Sequence, residues 1–121
     1  MAEHNVLGKW GEEKAVELLQ RKGYVILERD WKYGRRDLDI VAAKENVLAV
    51  IEVKTRRDDF FMRPQQAVTR AKIRQLSIAA NAYVKLHGID APVRFDIIAV
   101  TGRNDEDMHI EHIEGAFLPL V

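Results

Sequence analysis

Apolar positions along the chain follow two periods. Over residues 5–22 they recur at helical spacing. Gly8, Ala15 and Leu19 lie on one stripe with Glu12 among them, flanked by Gly11, Val16 and Leu18. Glu13, Glu17 and Gln20 point outward, and Gly23 is the expected stop. Glycine weakens a helix interior, so Gly8 and Gly11 predict close approach of another element to the first turns. The period then falls to two. Residues 24–31 read as a strand, with Val25 and Leu27 on one face and Tyr24 and Ile26 on the other; Tyr24 and Trp31 are expected to be packing residues. The basic turn at residues 32–36 leads into two short Val- and Ile-rich runs, 37–41 and 48–55, separated by residues 43–46 as a hairpin turn. Pro64 suits the first turn of a second helix, which is predicted to reach about Leu86 and stop at Gly88. Its inner stripe is Gln66, Thr69, Ile73, Leu76, Ala80 and Tyr83. An apolar strand is predicted over 93–101, and an alternating edge strand over 108–113. Strand, helix, strand is a crossover, so the strand at 93–101 should run parallel to the one at 47–55.

Acidic residues interrupt the apolar runs. A carboxylate among aliphatic side chains is costly unless it is paired, hydrogen-bonded or bound to a metal. If the hairpin turns about Glu45-Asn46, Lys44 faces Val47 and the register sets Asp39 opposite Glu52, and Asp37 opposite Lys54. Two carboxylates at that spacing repel unless a cation lies between them, and Mg²⁺ takes such oxygens while keeping several waters. Lys54 shares the face of Glu52. The bland reading is a structural salt-bridge cluster at a sheet edge. Asp96 is expected to pair with Arg94, and His109 and His112 read as surface residues. Gln66, on the inward face of the second helix's first turn, joins the candidate catalytic set.

Composition changes the picture little. The 121 residues suit one domain, with a core over about 8–101 and an acidic C-terminal edge over 102–121. Hydrophobic residues make up 47% and charged residues 31%, as in ordinary globular proteins. The absence of cysteine excludes disulfides and thiolate metal sites and suits a cytoplasmic protein. Neither a signal peptide nor a membrane-spanning run is expected. Formal net charge is zero, which gives nucleic-acid binding no support. Its distribution gives some: residues 54–74 carry seven basic side chains against Asp58 and Asp59, whereas residues 102–121 carry five acids against Arg103. The basic middle is expected to approach phosphates with the acidic tail facing away. The loop carrying Phe60, Phe61 and Met62 is a candidate insertion or dimer contact.

The order helix, three strands, helix, strand, with Glu12 in the first helix, Asp39 on the second strand and Glu52-Val53-Lys54 on the third, resembles the PD-(D/E)xK nuclease superfamily. More narrowly, the chain resembles the YraN-like family of small bacterial proteins related to archaeal Holliday-junction resolvases. The match runs from about Gly8 to Thr101, through residues 11–15, 23–24, 37–41, 51–56, Lys72 and 94–96. The resemblance implies an α/β, restriction-endonuclease-like αβββαβ core, a mixed central sheet flanked by helices. It also implies Mg²⁺ or Mn²⁺ on Asp39 and Glu52, helped by the Val53 carbonyl. Glu12 would add an acid, and Lys54 would position or activate the attacking water. Asp37 departs from the family's usual glutamate, keeping the charge but shortening its reach.

These readings lead to a metal-dependent DNA endonuclease in which Arg56, Arg57, Arg63 and Lys72 hold the backbone of duplex or branched DNA. A homodimer would match two-fold symmetric junctions. The alternatives are a non-catalytic module that binds nucleic acid or protein, and a structural protein.

Overall fold

The computed structural model describes residues 2–57 and 68–120. In chain order the elements are α1 (Ala2–Arg21), β1 (Val25–Tyr33), β2 (Arg36–Lys44), β3 (Val47–Arg56), α2 (Arg70–His87), β4 (Val93–Thr101) and β5 (His109–Phe117). They form one five-stranded sheet in sequence order. Every neighbouring pair is antiparallel except β3 and β4, which run parallel across the α2 crossover. The αβββαβ order is as expected, and β5 extends it to a fifth strand that runs on to Phe117.

Each helix covers one face. Ala15, Val16 and Leu19 of α1 pack on Ile40, Ala42, Ala49, Ile51, Ile98 and Val100. Leu76, Ala79, Ala80 and Tyr83 of α2 pack on Leu38, Val41, Leu48, Val50 and Phe95. The central strands are apolar on both sides because both sides are covered.

The β2–β3 hairpin closes as predicted. Glu45 and Asn46 both take left-handed φ, 50° and 64°, the requirement of a two-residue type I′ turn, and Lys44 pairs with Val47. The recorded pairing ends at Ile40 and Ile51. On β2, Ile40 faces α1 while Leu38 and Val41 face α2, so the alternation breaks at Asp39. On the neighbouring β1, Asp30 adopts φ 51°. The two central strands therefore separate where the acids sit. Asp37 does not meet Lys54: it pairs with Lys32 of β1, at 3.1 Å from Nζ to Oδ2.

Helix boundaries differ from the expectation at two points. α1 begins at Ala2, ahead of Asn5. α2 begins at Arg70 rather than Pro64, because Thr69 is its N-cap: its backbone is extended and its hydroxyl accepts the Lys72 amide at 3.1 Å. Gln66, Arg63, Pro64 and the Phe60-Phe61-Met62 loop lie outside the described residues. At its other end α2 stops as expected, at Gly88 with φ 60°.

Gly11 explains how α1 seats. A Cβ there would lie 2.0 Å from Thr55 Oγ1 of β3, so only glycine permits this approach. Gly8, by contrast, has nothing within 4 Å of such a Cβ. Among the described residues no helix is long and apolar enough to cross a membrane.

Candidate functional site

A cleft of about 320 Å³ opens where β2 and β3 separate. Leu7, Gly8 and Glu12 of α1 form one wall; Asp39 of β2 and residues 52–55 of β3 form the other. The structure thus brings Glu12, Asp39, Glu52, Val53 and Lys54 together. Gly8 keeps this wall clear, since a side chain there would project into open space.

Asp39 is held by the chain itself: its Oδ2 accepts the Val53 amide at 2.9 Å. The Val53 N–H thus ties β3 to the carboxylate of β2. Burial pushes the Asp39 carboxyl up to about 8, reinforced by the charge and hydrogen bond of Glu52 and by Glu12, against the Val53 amide. Glu12 is also raised, first by burial, then by Asp30 and Asp37, with Arg29 opposing. Lys32 bridges Asp30 and Asp37 nearby, at 2.9 and 3.1 Å.

Glu52 is the buried acid of β3, 5% exposed. Two ammonium groups approach the same oxygen, Oε2: Lys54 Nζ at 3.4 Å and Lys72 Nζ at 3.7 Å. Sequence reasoning gave Lys72 to the DNA backbone; the structure sets it in the first turn of α2, against the central carboxylate. The signal was present in Thr69 as an N-cap, which shifts the helix start and turns Lys72 toward the sheet.

The donor set suits a hard divalent ion. It consists of carboxylate oxygens, it is sheltered, and the crowding that raises Asp39 is what a cation would relieve. Among the described residues no group of three or more His, Cys, Asp and Glu side chains is placed to share an ion. An ion on Asp39 and Glu52 would therefore complete its shell with water, as Mg²⁺ commonly does.

Arg56 and Arg57 continue β3 out of the cleft and are exposed. The acidic tail does not face away from them. Arg56 pairs with Thr101, its carbonyl accepts the Gly102 amide at 2.8 Å, and the β4–β5 turn stands beside Arg57 across a second cleft. Parallel pairing of β3 and β4 dictates this, because both strands end on the same side.

A second polar centre lies outside the cleft. Asp96, fully buried, receives Arg94 through Nε at 2.8 Å and Nη2 at 2.9 Å, His112 Nε2 at 2.8 Å and the Gly115 amide at 3.0 Å. Its partner Arg94 was expected. His112 was not: its side chain is 3% exposed rather than on the surface, with Lys22 Nζ at 2.6 Å from Nδ1. The alternation of β5 was the available signal, since it turns Ile110 and His112 to one face.

Comparison with known proteins gives a consistent family. The model described as "Uncharacterised protein family UPF0102" matches residues 11–100. A UPF0102 protein of Bacteroides fragilis is 56% identical over 119 residues, 98% of each chain. One from Bacteroides thetaiotaomicron is 54% identical over the same share of both. One from Flavobacterium psychrophilum is 50% identical over 117 residues, 97% of this chain and 98% of the relative.

Proposed function

We propose a function for a chain that belongs to the UPF0102 family: a divalent-metal-dependent phosphodiesterase acting on DNA, of the PD-(D/E)xK type, with branched DNA as the favoured substrate and the cytoplasm as its setting. The observation that carries it is the juxtaposition, in one open cleft, of the Asp39–Glu52 carboxylates with two lysines on Glu52.

Asp39 and Glu52 hold Mg²⁺ or Mn²⁺. Such an ion would supply Lewis-acid polarisation of a phosphate oxygen and a lowered pKa for a coordinated water. Lys54 and Lys72 stabilise the charge that develops on the phosphate, each within reach of the ion's ligand Glu52. Glu12 adds a third carboxyl at the wall, where its raised pKa suits proton exchange with the attacking water or the leaving group. Arg56 and Arg57 hold the backbone without reading bases. A two-fold dimer would present two such clefts to a symmetric junction, and sedimentation of the protein with and without a four-way junction reads that stoichiometry.

The test is cleavage of duplex, single-stranded, flap and four-way-junction DNA with and without Mg²⁺ or Mn²⁺. Lys54→Ala should keep metal affinity within a few-fold and lower the cleavage rate by about two orders of magnitude. Glu52→Gln should lose metal and cleavage together. Cleavage unchanged in both variants would place the active site elsewhere. A wild type that binds DNA but cuts nothing under any metal would make this a binding module that retains the fold.

A further inference from the structure

Beside the carboxylate cleft lies a larger one of about 780 Å³, within the range of small-molecule sites. Val6, Leu7 and Trp10 of α1 form its apolar wall, and Leu7 lines both clefts. Opposite stand Arg57 and the β4–β5 turn from Arg103 to Glu106. The two clefts are joined by β3: Lys54 opens onto the first and Arg57 onto the second, roughly 10 Å apart at the rise of a strand.

The walls are preorganised. The Trp10 indole N–H donates to Asp105 Oδ1 at 2.7 Å, and Lys14 holds the other oxygen, Oδ2, at 2.7 Å. That fixes the ring and balances the acid nearest to it. The turn is braced from within: Asp107 Oδ1 accepts the amides of Arg103 and Asn104, and Asn104 Oδ1 accepts those of Glu106 and Asp107. Asp105 is held by Lys14, and Arg57, Arg103 and Glu106 complete the charged rim. An indole beside apolar side chains and two guanidinium groups is the chemistry that holds a nucleotide: a ring for the base and cations for its phosphates. A paired base shows a protein only its edges, whereas an unpaired base offers its face.

We infer that the Trp10 cleft binds one unpaired nucleotide of a DNA substrate, within a few nucleotides of the phosphate held in the carboxylate cleft. This deepens the phosphodiesterase reading and rests on it for the scissile phosphate. It makes the substrate DNA with unpaired residues beside the cut, such as a flap, gap or open branch.

The test separates binding from turnover. The chain has two tryptophans, so in Trp31→Phe emission excited selectively in the indole band comes from Trp10 alone. In chelator, a short oligothymidylate should quench that emission saturably. Trp10→Ala should weaken binding of a flapped duplex by about tenfold, the scale of one lost base stack, while affinity for blunt duplex stays within about twofold. Trp10→Phe keeps a ring in place, controls for folding and should bind flapped DNA close to wild type. The inference is overturned if oligothymidylate leaves Trp10 emission unchanged, or if Trp10→Ala weakens flapped and blunt duplex equally. A protein that shows the quenching but cuts no DNA keeps the nucleotide subsite and loses the phosphodiesterase. One that cuts flapped and blunt DNA alike with Trp10 emission unchanged does the reverse.

Discussion

At the scale of single residues, Asp39 carries the most information. Its carboxyl is pushed from an ordinary 3.8 to about 8, chiefly by burial and then by Glu52. Between those values the folded, metal-free protein holds a proton that the unfolded chain has released. Stability therefore falls as pH rises through that window, by at most about 1.4 kcal/mol per pH unit for one proton. In chelator, the Tm should drop between about pH 5 and about pH 8.5. Asp39→Asn, which keeps an acceptor for the Val53 amide but has no proton to lose, should flatten that slope. Parallel slopes in the two proteins would locate the proton on another group. Mn²⁺ affinity should run the opposite way and strengthen with pH, because the ion displaces the same proton. The two acids were legible from sequence because charge inside an apolar strand demands an explanation. The Lys72 contact was legible only through Thr69, whose role as N-cap sets where α2 starts.

At the scale of elements, α1 and β3 make the contact on which the cleft is built. Among the described residues, helical and strand periods revealed each element, and the hairpin register followed from two turn residues. What periodicity could not supply is the break at Asp39. That break comes from the separation of β2 from β3 and the unusual φ of Asp30, and neither leaves a trace in an alternating pattern. The glycines of α1 were more telling. Gly11 marks a close approach, and Gly11→Ala would press a methyl onto Thr55. Overpacking of this kind costs about 1–3 kcal/mol, with a further shift of α1 away from the cleft. Chemical denaturation should show that loss, together with weakened Mn²⁺ binding. Thr55→Ala should rescue only in part, because the new methyl would still lie 2.9 Å from the Thr55 Cβ. Gly8→Ala should leave packing alone, since that position opens onto space. Alanine is the better helix former, so equal destabilisation by the two alanines would show that the approach to β3 is not what makes Gly11 necessary.

At the scale of the whole molecule, the Asp96 centre joins what the sequence keeps apart. Tyr24, at the entry to β1, receives Arg94, and Lys22, at the end of α1, meets His112 and Glu114 of β5. The entry to β1 and the last strand are thereby tied through β4, and the C-terminal edge packs onto the core through Met108, Ile110 and Phe117. Sequence order made Arg94–Asp96 readable as a pair two residues apart on one strand face. It left the rest hidden, because the other partners arrive from about 70 residues earlier and from a strand whose pairing only the sheet reveals. Burial alone would raise the Asp96 carboxyl, but the bonds from His112, Arg94 and Gly115 outweigh it and hold it below the ordinary range. A carboxylate so depressed contributes stability above its unfolded pKa of about 3.8 and loses that contribution as pH falls toward its folded value. Asp96→Asn removes the charge and leaves the half-buried Arg94 with only Tyr24 and the longer contact to Glu114, which should cost about 3 kcal/mol at neutral pH. The gap between wild type and variant, read from urea midpoints, should narrow as pH falls below about 4, where the unfolded wild type begins to take up the proton that folded Asp96 still resists. Mn²⁺ affinity of the folded variant should stay within a few-fold, because Asp96 lies outside the carboxylate cleft. A gap that stays constant with pH would mean that Asp96 acts through packing and hydrogen bonds rather than charge. A loss of metal binding in the folded variant would mean that this centre, through its neighbour Ile51 on β3, also sets the position of Glu52.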